Sequence, residues 1–264
     1  MEDKEVQDQV REQFGKTAEA YLVRGEIKEK DLLRMIQAAA VTGQERVLDI
    51  GTATGRTLLA FAPYIAEGVG LDLTPEMLAI ADREAKASGV TNVSWQEGDV
   101  ERLPFADGSF DLVTARICAH HFPKLDRAVQ EMARVLKPGG RLLVIDNYAP
   151  EQDAADSFIN TIEKWRDGSH VREWKLSEWQ KFYEGAGLTF AVDNTYRTRM
   201  RFGWWTARAQ TPAELLPQIQ QAIADAAADP AICAEFDLRQ TDEGEWTFEL
   251  LKALLVGSKK ESAE

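Results

Sequence analysis

The chain has 264 residues, 44% of them hydrophobic and 28% charged, which is length enough for one large α/β domain or a core domain with a small elaboration. A formal net charge of −13 and a pI near 4.8 argue against the basic face on which nucleic-acid binders depend. No run of about 18 apolar residues occurs, the N-terminus is charged from its second residue, and Cys118 and Cys233 belong to no C-x-x-C or C-x-x-H group. The expectations are a cytoplasmic protein with no nucleic-acid partner, no membrane insertion, no disulfide framework and no metal.

Residues 2–16 predict a mostly polar helix with Val6, Val10 and Phe14 at near-helical spacing. Residues 27–40 predict a second, amphipathic helix that stops at Thr42-Gly43. Together these form an expected helical cap over 1–43. The segment 46–62, RVLDIGTATGRTLLAFA, then reads as a buried strand (47–50), a glycine-bearing turn (51–55) and a helix with Leu58, Leu59 and Ala62 on its apolar face. Gly51 and Gly55 let the backbone turn sharply and let a ligand approach, and Asp49 stands just before the turn. An ordinary strand-to-helix connection explains the same residues. A dinucleotide fingerprint needs G-x-G-x-x-G, and Ala53 and Arg56 break it at two of its three glycines. The spacing G-x-G-x-G fails only at Ala53, by one methyl group.

At this point the sequence resembles the class I S-adenosylmethionine-dependent methyltransferases, whose first motif runs V-L-D-x-G-x-G-x-G. The resemblance implies a seat for the methionine end of the cofactor built by Asp49, Gly51, Thr52, Ala53 and Gly55. Residues 68–73 predict the second strand, and Asp72 falls about 20 positions beyond the glycine turn, where a carboxylate accepts the ribose hydroxyls. Leu73 follows it. Thr74-Pro75-Glu76 opens a helix by capping, preset φ and dipole. Met77 matches the family pattern D-x-S/T-x-x-M-L near the adenine, and plain helix core explains it equally.

Residues 93–97 predict a third strand. In the resembling family the G-D-x that follows meets the adenine, which implies Asp99 as acceptor for the adenine amine and Val100 N–H as donor to the ring; alone, G-D is a commonplace turn. The downstream LPFADGSFD, leading into a fourth strand at 110–115, is similar to a family hallmark. The loop RICAHHF, residues 116–122, lies beyond that strand's carboxyl end, where open α/β sheets bind ligands. Arg116 is placed to meet the methionine carboxylate or the backbone carbonyls around it. The family resemblance favours His121 over His120 as a substrate-orienting group or general base. Two histidines that merely hold the loop by hydrogen bonds remain the alternative. Ahead of the core, Phe14, Ala18 and Tyr21 match F-x-x-x-A-x-x-Y, whose Tyr folds over cofactor and substrate in similar enzymes; anchoring of a helix is the other reading of Tyr21.

Residues 125–136 predict a helix ended by Lys137-Pro138-Gly139-Gly140, and 141–146 the fifth strand, with Asp146, Asn147 and Tyr148 at its end. L-K-P-G-G-x-L-x-x-x-D is a further family marker. Helices are expected at 154–166, 177–185 and 211–228, the last with Thr211 as cap and Pro212 first. Strands are expected at 188–193 and, antiparallel to the rest, at 248–256. Five of the seven tryptophans, Trp165, Trp174, Trp179, Trp204 and Trp205, lie in the intervening stretches, as lining of an apolar pocket or as packing of a small subdomain. Arg172, Arg197, Arg199 and Arg201 are candidates to anchor a carboxylate or to remain solvated.

The chain is thus identified as similar to the type-11 methyltransferases, the ubiquinone/menaquinone C-methyltransferase-like group. The fold this implies is α/β, a Rossmann-like doubly wound sheet of seven strands ordered 3-2-1-4-5-7-6. The expected core is 44–148 with 188–195 and 246–258, and the expected helical lid is 149–187 with 196–245. The implied activity is in-line methyl transfer from S-adenosyl-L-methionine to a small-molecule acceptor, giving S-adenosylhomocysteine, with His121, Tyr21 and Tyr148 as candidate catalytic residues. A cofactor-binding scaffold without transferase activity is the alternative, prompted by Ala53 and the lack of an acceptor motif such as N-P-P-Y.

Overall fold

The computed structural model describes residues 2–17 and 26–261. Short apolar runs between glycine-bearing turns give β1 (Arg46–Ile50), β2 (Glu67–Asp72), β3 (Val93–Glu97), β4 (Phe110–Arg116) and β5 (Leu136–Ala149). These are followed by β6 (Trp174–Lys175), β7 (Ala191–Arg201), β8 (Arg239–Gln240) and β9 (Trp246–Ser258). The sheet path is β3-β2-β1-β4-β5-β9-β7, with the two-residue strands β6 and β8 attached to β5 and β9. β1 to β5 pair in parallel, and β9 runs antiparallel to both β5 and β7. Its seven longer strands therefore have the expected order and the expected antiparallel closing strand.

Alternation along the strands serves two faces. Leu48, Ile50, Val113, Ala115, Leu142 and Val144 pack with α5 (Leu125–Val135) and with Trp179 and Tyr183 of α7 (Leu176–Gly185). Val47, Leu112, Leu143 and Ile145 pack on the other face with Met35 of α2 (Glu26–Ala39) and with Leu58 and Phe61 of α3 (Arg56–Phe61). α4 (Pro75–Ala87) follows β2, and α1 (Glu2–Thr17) lies against it. β9 is buried on both faces, as its continuous LLKALLV run requires.

Beyond the carboxyl ends of β5 and β7 a second core forms from α6 (Asp153–Arg166), α8 (Phe202–Ala209), α9 (Leu216–Ala228) and α10 (Pro230–Phe236) against the start of β9. Here the structure corrects three expectations. β7 does not stop at 193 but continues to Arg201, in register with β9 as far as Thr247. Its arginines at 197, 199 and 201 occupy every second position, the period of a half-exposed strand, so the helical excursion begins only at Phe202. The helix expected from 211 starts at Leu216, because Pro212 is extended (φ −54°, ψ 133°) and a 3₁₀ turn, Ala213–Leu215, intervenes. α5 ends at Val135, and β5 begins before the Lys137-Pro138-Gly139-Gly140 turn.

Phe248 ties the second core to the sheet: it is fully buried, its ring 4.9 Å from Trp205 at 87°. Phe248→Ala is expected to cost about 3–5 kcal/mol, read from urea unfolding. A loss within about 0.5 kcal/mol, the scale of a typical surface change, would show that this core does not hang on that contact.

Candidate active site

The loop after β1 is shaped by left-handed backbone. Gly51 and Gly55 have φ of 59° and 76°, and a Cβ at Gly51 would lie 2.8 Å from both Cβ and Sγ of Cys118. Ala53 adopts the same region (φ 48°), which costs an L-residue roughly 1–2 kcal/mol. Its N–H donates to Asp72 Oδ2 at 2.8 Å, while Asp72 Oδ1 accepts from Thr74 N–H at 2.9 Å. Burial raises the Asp72 carboxyl above its ordinary range against these bonds. Asp49 lies beneath the loop, where it accepts from the hydroxyls of Thr52 and Thr114, each at 2.7 Å. Burial pushes its carboxyl up to about 6, the two hydroxyls opposing the rise.

A cavity of about 480 Å³ opens over the carboxyl ends of the first four strands. Gly51, Thr52, Ala53, Asp72, Leu73, Met77, Asp99, Val100, Arg116 and His121 all line it. Three sequence candidates are placed elsewhere. Asp49 and Gly55 shape the loop from behind, and Tyr148 is half-buried between the two cores. Tyr21, with Ala18, lies outside the described residues.

α1 crosses this cavity. Gln7 Nε2 donates to Asp99 Oδ2 at 2.7 Å, Arg11 Nε donates to the Leu73 carbonyl at 3.2 Å, and Gln13 Nε2 donates to the Ala209 carbonyl at 2.9 Å. Phe14 packs with Met77, Ile80 and Ala53 and presents its ring to His121 at 5.0 Å and 85°. Arg116 Nε donates to Thr57 Oγ1 at 2.9 Å on the cavity wall.

The adjacent histidines occupy opposite electrostatic states. His120 Nδ1 is 2.7 Å from Asp146 Oδ1, with side-chain exposures of 13% and 2%. Burial alone would lower the His120 pKa, but the charge and hydrogen bond of Asp146 raise it to about 9, and Asp146 falls below its usual range. Asp146 Oδ2 also accepts from the N–H groups of Ala119 at 2.7 Å and His120 at 3.3 Å. His121 is buried with its ring 4.2 Å from His120. Burial first, then the charged His120, lower it to about 4. Its Nδ1 faces Ser169, and Nε2 has no hydrogen-bond partner among the described residues.

The other end of the cavity is walled by Met200, Trp204, Trp205 and Leu250, with Asn147, Glu163, Arg166, Asp167 and Lys252 among its polar groups. Of the five lid-region tryptophans, Trp204 and Trp205 line it, whereas Trp165, Trp174 and Trp179 pack in the cores. The four arginines singled out as carboxylate anchors do not line it. Arg172 pairs with Asp156 and Glu178, Arg197 with Glu235 and Glu249, Arg199 with Asp237 and Glu249, and Arg201 with Glu245. Besides the predicted Arg116, the cavity is lined by cations that the sequence reading did not single out as site residues: Arg56, Arg208, Arg166, held by Glu163 at 2.8 Å, and Lys252, held by Asp31 at 3.2 Å. Lys252 carried a signal, as a lone charge in an apolar run; Arg166 carried none. Among the described residues no cluster of His, Cys, Asp or Glu is arranged to hold a metal ion, and no helix is long and apolar enough to cross a membrane.

Residues 48–144 match the family model described as a methyltransferase domain. The chain is 44% identical over 207 residues to the uncharacterized methyltransferase YcgJ of Bacillus subtilis (strain 168), covering 78% of this chain and 82% of that one. The crystal structure of YcgJ superposes with a TM-score of 0.85 at 40% identity over 89% of this chain and 100% of the other. A demethylmenaquinone methyltransferase of Thermus thermophilus is 42% identical over 124 residues, which span 46% of this chain and 56% of that protein.

The His120–Asp146 pair sets a stability window. A histidine whose folded pKa is raised contributes stability that is complete below its unfolded value near 6.5 and lost as pH rises through about 9. Unfolding free energy should fall between these limits by an amount on the order of 3 kcal/mol. His120→Gln should largely flatten that slope in denaturant melts. An equally steep decline in the variant would assign it to another group.

Proposed function

Since the chain belongs to the type-11 family of S-adenosylmethionine-dependent methyltransferases, we propose that it transfers the methyl group to a small-molecule acceptor held in the aromatic-walled end of the cavity, releasing S-adenosylhomocysteine. The observation that carries this reading is one continuous cavity. It joins the loop residues Gly51 to Ala53 with Asp72, Asp99, Arg116 and His121.

The residues fit the cofactor by their present bonding. Asp99 already accepts a neutral amide N–H, from Gln7, which is the kind of donor an adenine amine offers. Asp72 is held by backbone N–H groups on both oxygens, so it meets two ribose hydroxyls as a fixed acceptor. Gly51 lines the cavity with no side chain, and a Cβ there would collide with Cys118 at 2.8 Å, so only glycine lets the loop close against that residue. Met77, Leu73 and Val100 supply apolar surface for the base, and Arg116 a cation for the methionine carboxylate.

When bound, the sulfonium supplies a methyl group already activated by positive sulfur. The chain's own work is then positioning and exclusion of water. Phe14 and the rest of α1 cover the cavity from one side, and Trp204, Trp205 and Met200 from the other. His121, uncharged at neutral pH, offers Nε2 to an acceptor that must lose a proton. Tyr21, outside the described residues, stays a candidate beside His121, whereas Tyr148 is assigned no proton-transfer role. Tyr148 points into packed cores.

Labelled S-adenosylmethionine incubated with the protein and a cell extract should mark a small molecule. S-adenosylhomocysteine, and not NAD, should raise the melting temperature. His121→Ala should lower turnover by about 10²-fold while S-adenosylhomocysteine affinity stays nearly unchanged. Equal activity in the variant removes the histidine from the chemistry, and cofactor binding with no labelled product from any extract favours a scaffold.

A further inference from the structure

His121 has two neighbours at Nδ1, and both belong to Ser169: the backbone carbonyl oxygen at 3.0 Å and the hydroxyl Oγ at 3.2 Å. The carbonyl can only accept. The hydroxyl has a single proton, and Oγ lies 2.6 Å from Asp167 Oδ1, a length typical of an O–H donated to a carboxylate. With that proton committed to Asp167, Oγ presents a lone pair to the imidazole. Asp167 Oδ1 is fixed in turn by the Ser169 N–H at 2.9 Å. Both atoms facing Nδ1 are therefore acceptors, and Nδ1 must carry the ring's hydrogen. A neutral imidazole has only one.

We propose that Ser169 and Asp167 are positioning residues that lock His121 in its Nδ1–H tautomer, so that Nε2 meets the methyl acceptor as a bare lone pair. Neither residue was read as functional from the sequence; both lie in the DGSH segment that follows α6. The inference rests on the reading that His121 takes the acceptor's proton. In that step the acceptor's electron pair forms the bond to the methyl carbon, the carbon–sulfur pair stays on sulfur, and the acceptor's proton passes to Nε2. The resulting imidazolium keeps its Nδ1–H bond to Ser169, with the Asp167 carboxylate one bond further on to offset the charge it gains beside His120. A ring held as the Nε2–H tautomer would present a donor to the same acceptor and could take no proton from it.

The test is the ¹⁵N spectrum of histidine-labelled protein at pH 7, with His121 assigned against His121→Gln. Nδ1 should resonate in the protonated range and Nε2 in the unprotonated, pyridine-like range. Asp167→Ala frees the Ser169 hydroxyl proton to turn toward Nδ1. It should shift His121 toward the Nε2–H form and lower kcat about tenfold, part of the ~10²–10⁴ that a positioned base supplies, with KM for S-adenosylmethionine little changed. Ser169→Thr keeps the hydroxyl and should retain both tautomer and kcat, whereas Ser169→Ala should lower kcat. A wild-type ring in the Nε2–H form, or an Asp167→Ala protein with unaltered tautomer and kcat, overturns the proposal. If Asp167→Ala fails to fold, the wild-type spectrum and the two Ser169 variants decide. A correct tautomer in a protein that methylates nothing would instead overturn the proposed function and leave the tautomer assignment standing.

Discussion

The carboxylate of Asp146 is the constraint on which the candidate site depends. Standing at the end of β5, it accepts from the backbone of Ala119 and His120 and from the His120 ring. One buried anion thereby fixes the whole 119–121 turn. The His120 carbonyl accepts from the N–H groups of Val171 and Arg172, so the segment carrying Ser169 and Asp167 is registered against the same turn. Removing one member of a buried ion pair leaves the other uncompensated, commonly at about 3–5 kcal/mol. The pair also accounts for the different states of two neighbouring histidines: the positive charge that Asp146 stabilises on His120 helps to keep His121 neutral.

Asp146 is one instance of a pattern in the sheet. β1, β2 and β5 each carry an aspartate near the carboxyl end, and each braces an adjoining loop. Asp49 holds Thr52 and Thr114, Asp72 holds Ala53 and Thr74, and Asp146 holds the histidine turn. Loops at the carboxyl edge of a parallel sheet have few backbone partners of their own, so side-chain acceptors fix them. The strain at Ala53 is tolerated in this setting, because its N–H is tied to Asp72. Asp49, which shapes the loop without lining the cavity, and Asp72, which does both, are distinguished only by the direction their carboxylates take.

Most of the sheet was legible because its signals are local. Apolar runs, glycine turns and proline-led helices mark β1 to β5 and α3 to α5, and the strand-end positions of Asp72, Asp99 and Arg116 placed them on the cavity. The edge strand β7 was readable in principle from arginines at alternate positions. What the sequence does not announce is pairing over long separations. Gln7 meets Asp99 across 92 positions, Lys252 meets Asp31 across 221, and Ser169 meets His121 across 48. Such contacts arise from how α1, α2 and the segment after α6 fold back over the sheet, and no spacing rule within one element encodes them. The fate of the arginines 197, 199 and 201 likewise depended on acids near positions 235–249, far along the chain.

A crystal structure with S-adenosylhomocysteine tests most directly whether the cavity is the seat of S-adenosylmethionine. The predicted result is an adenine amine on Asp99 in the place now taken by the Gln7 amide, ribose hydroxyls on Asp72, and sulfur opening toward His121 and the Trp204–Trp205 wall. A ligand bound elsewhere, or one lying in the cavity with Asp72 and Asp99 untouched, would contradict it.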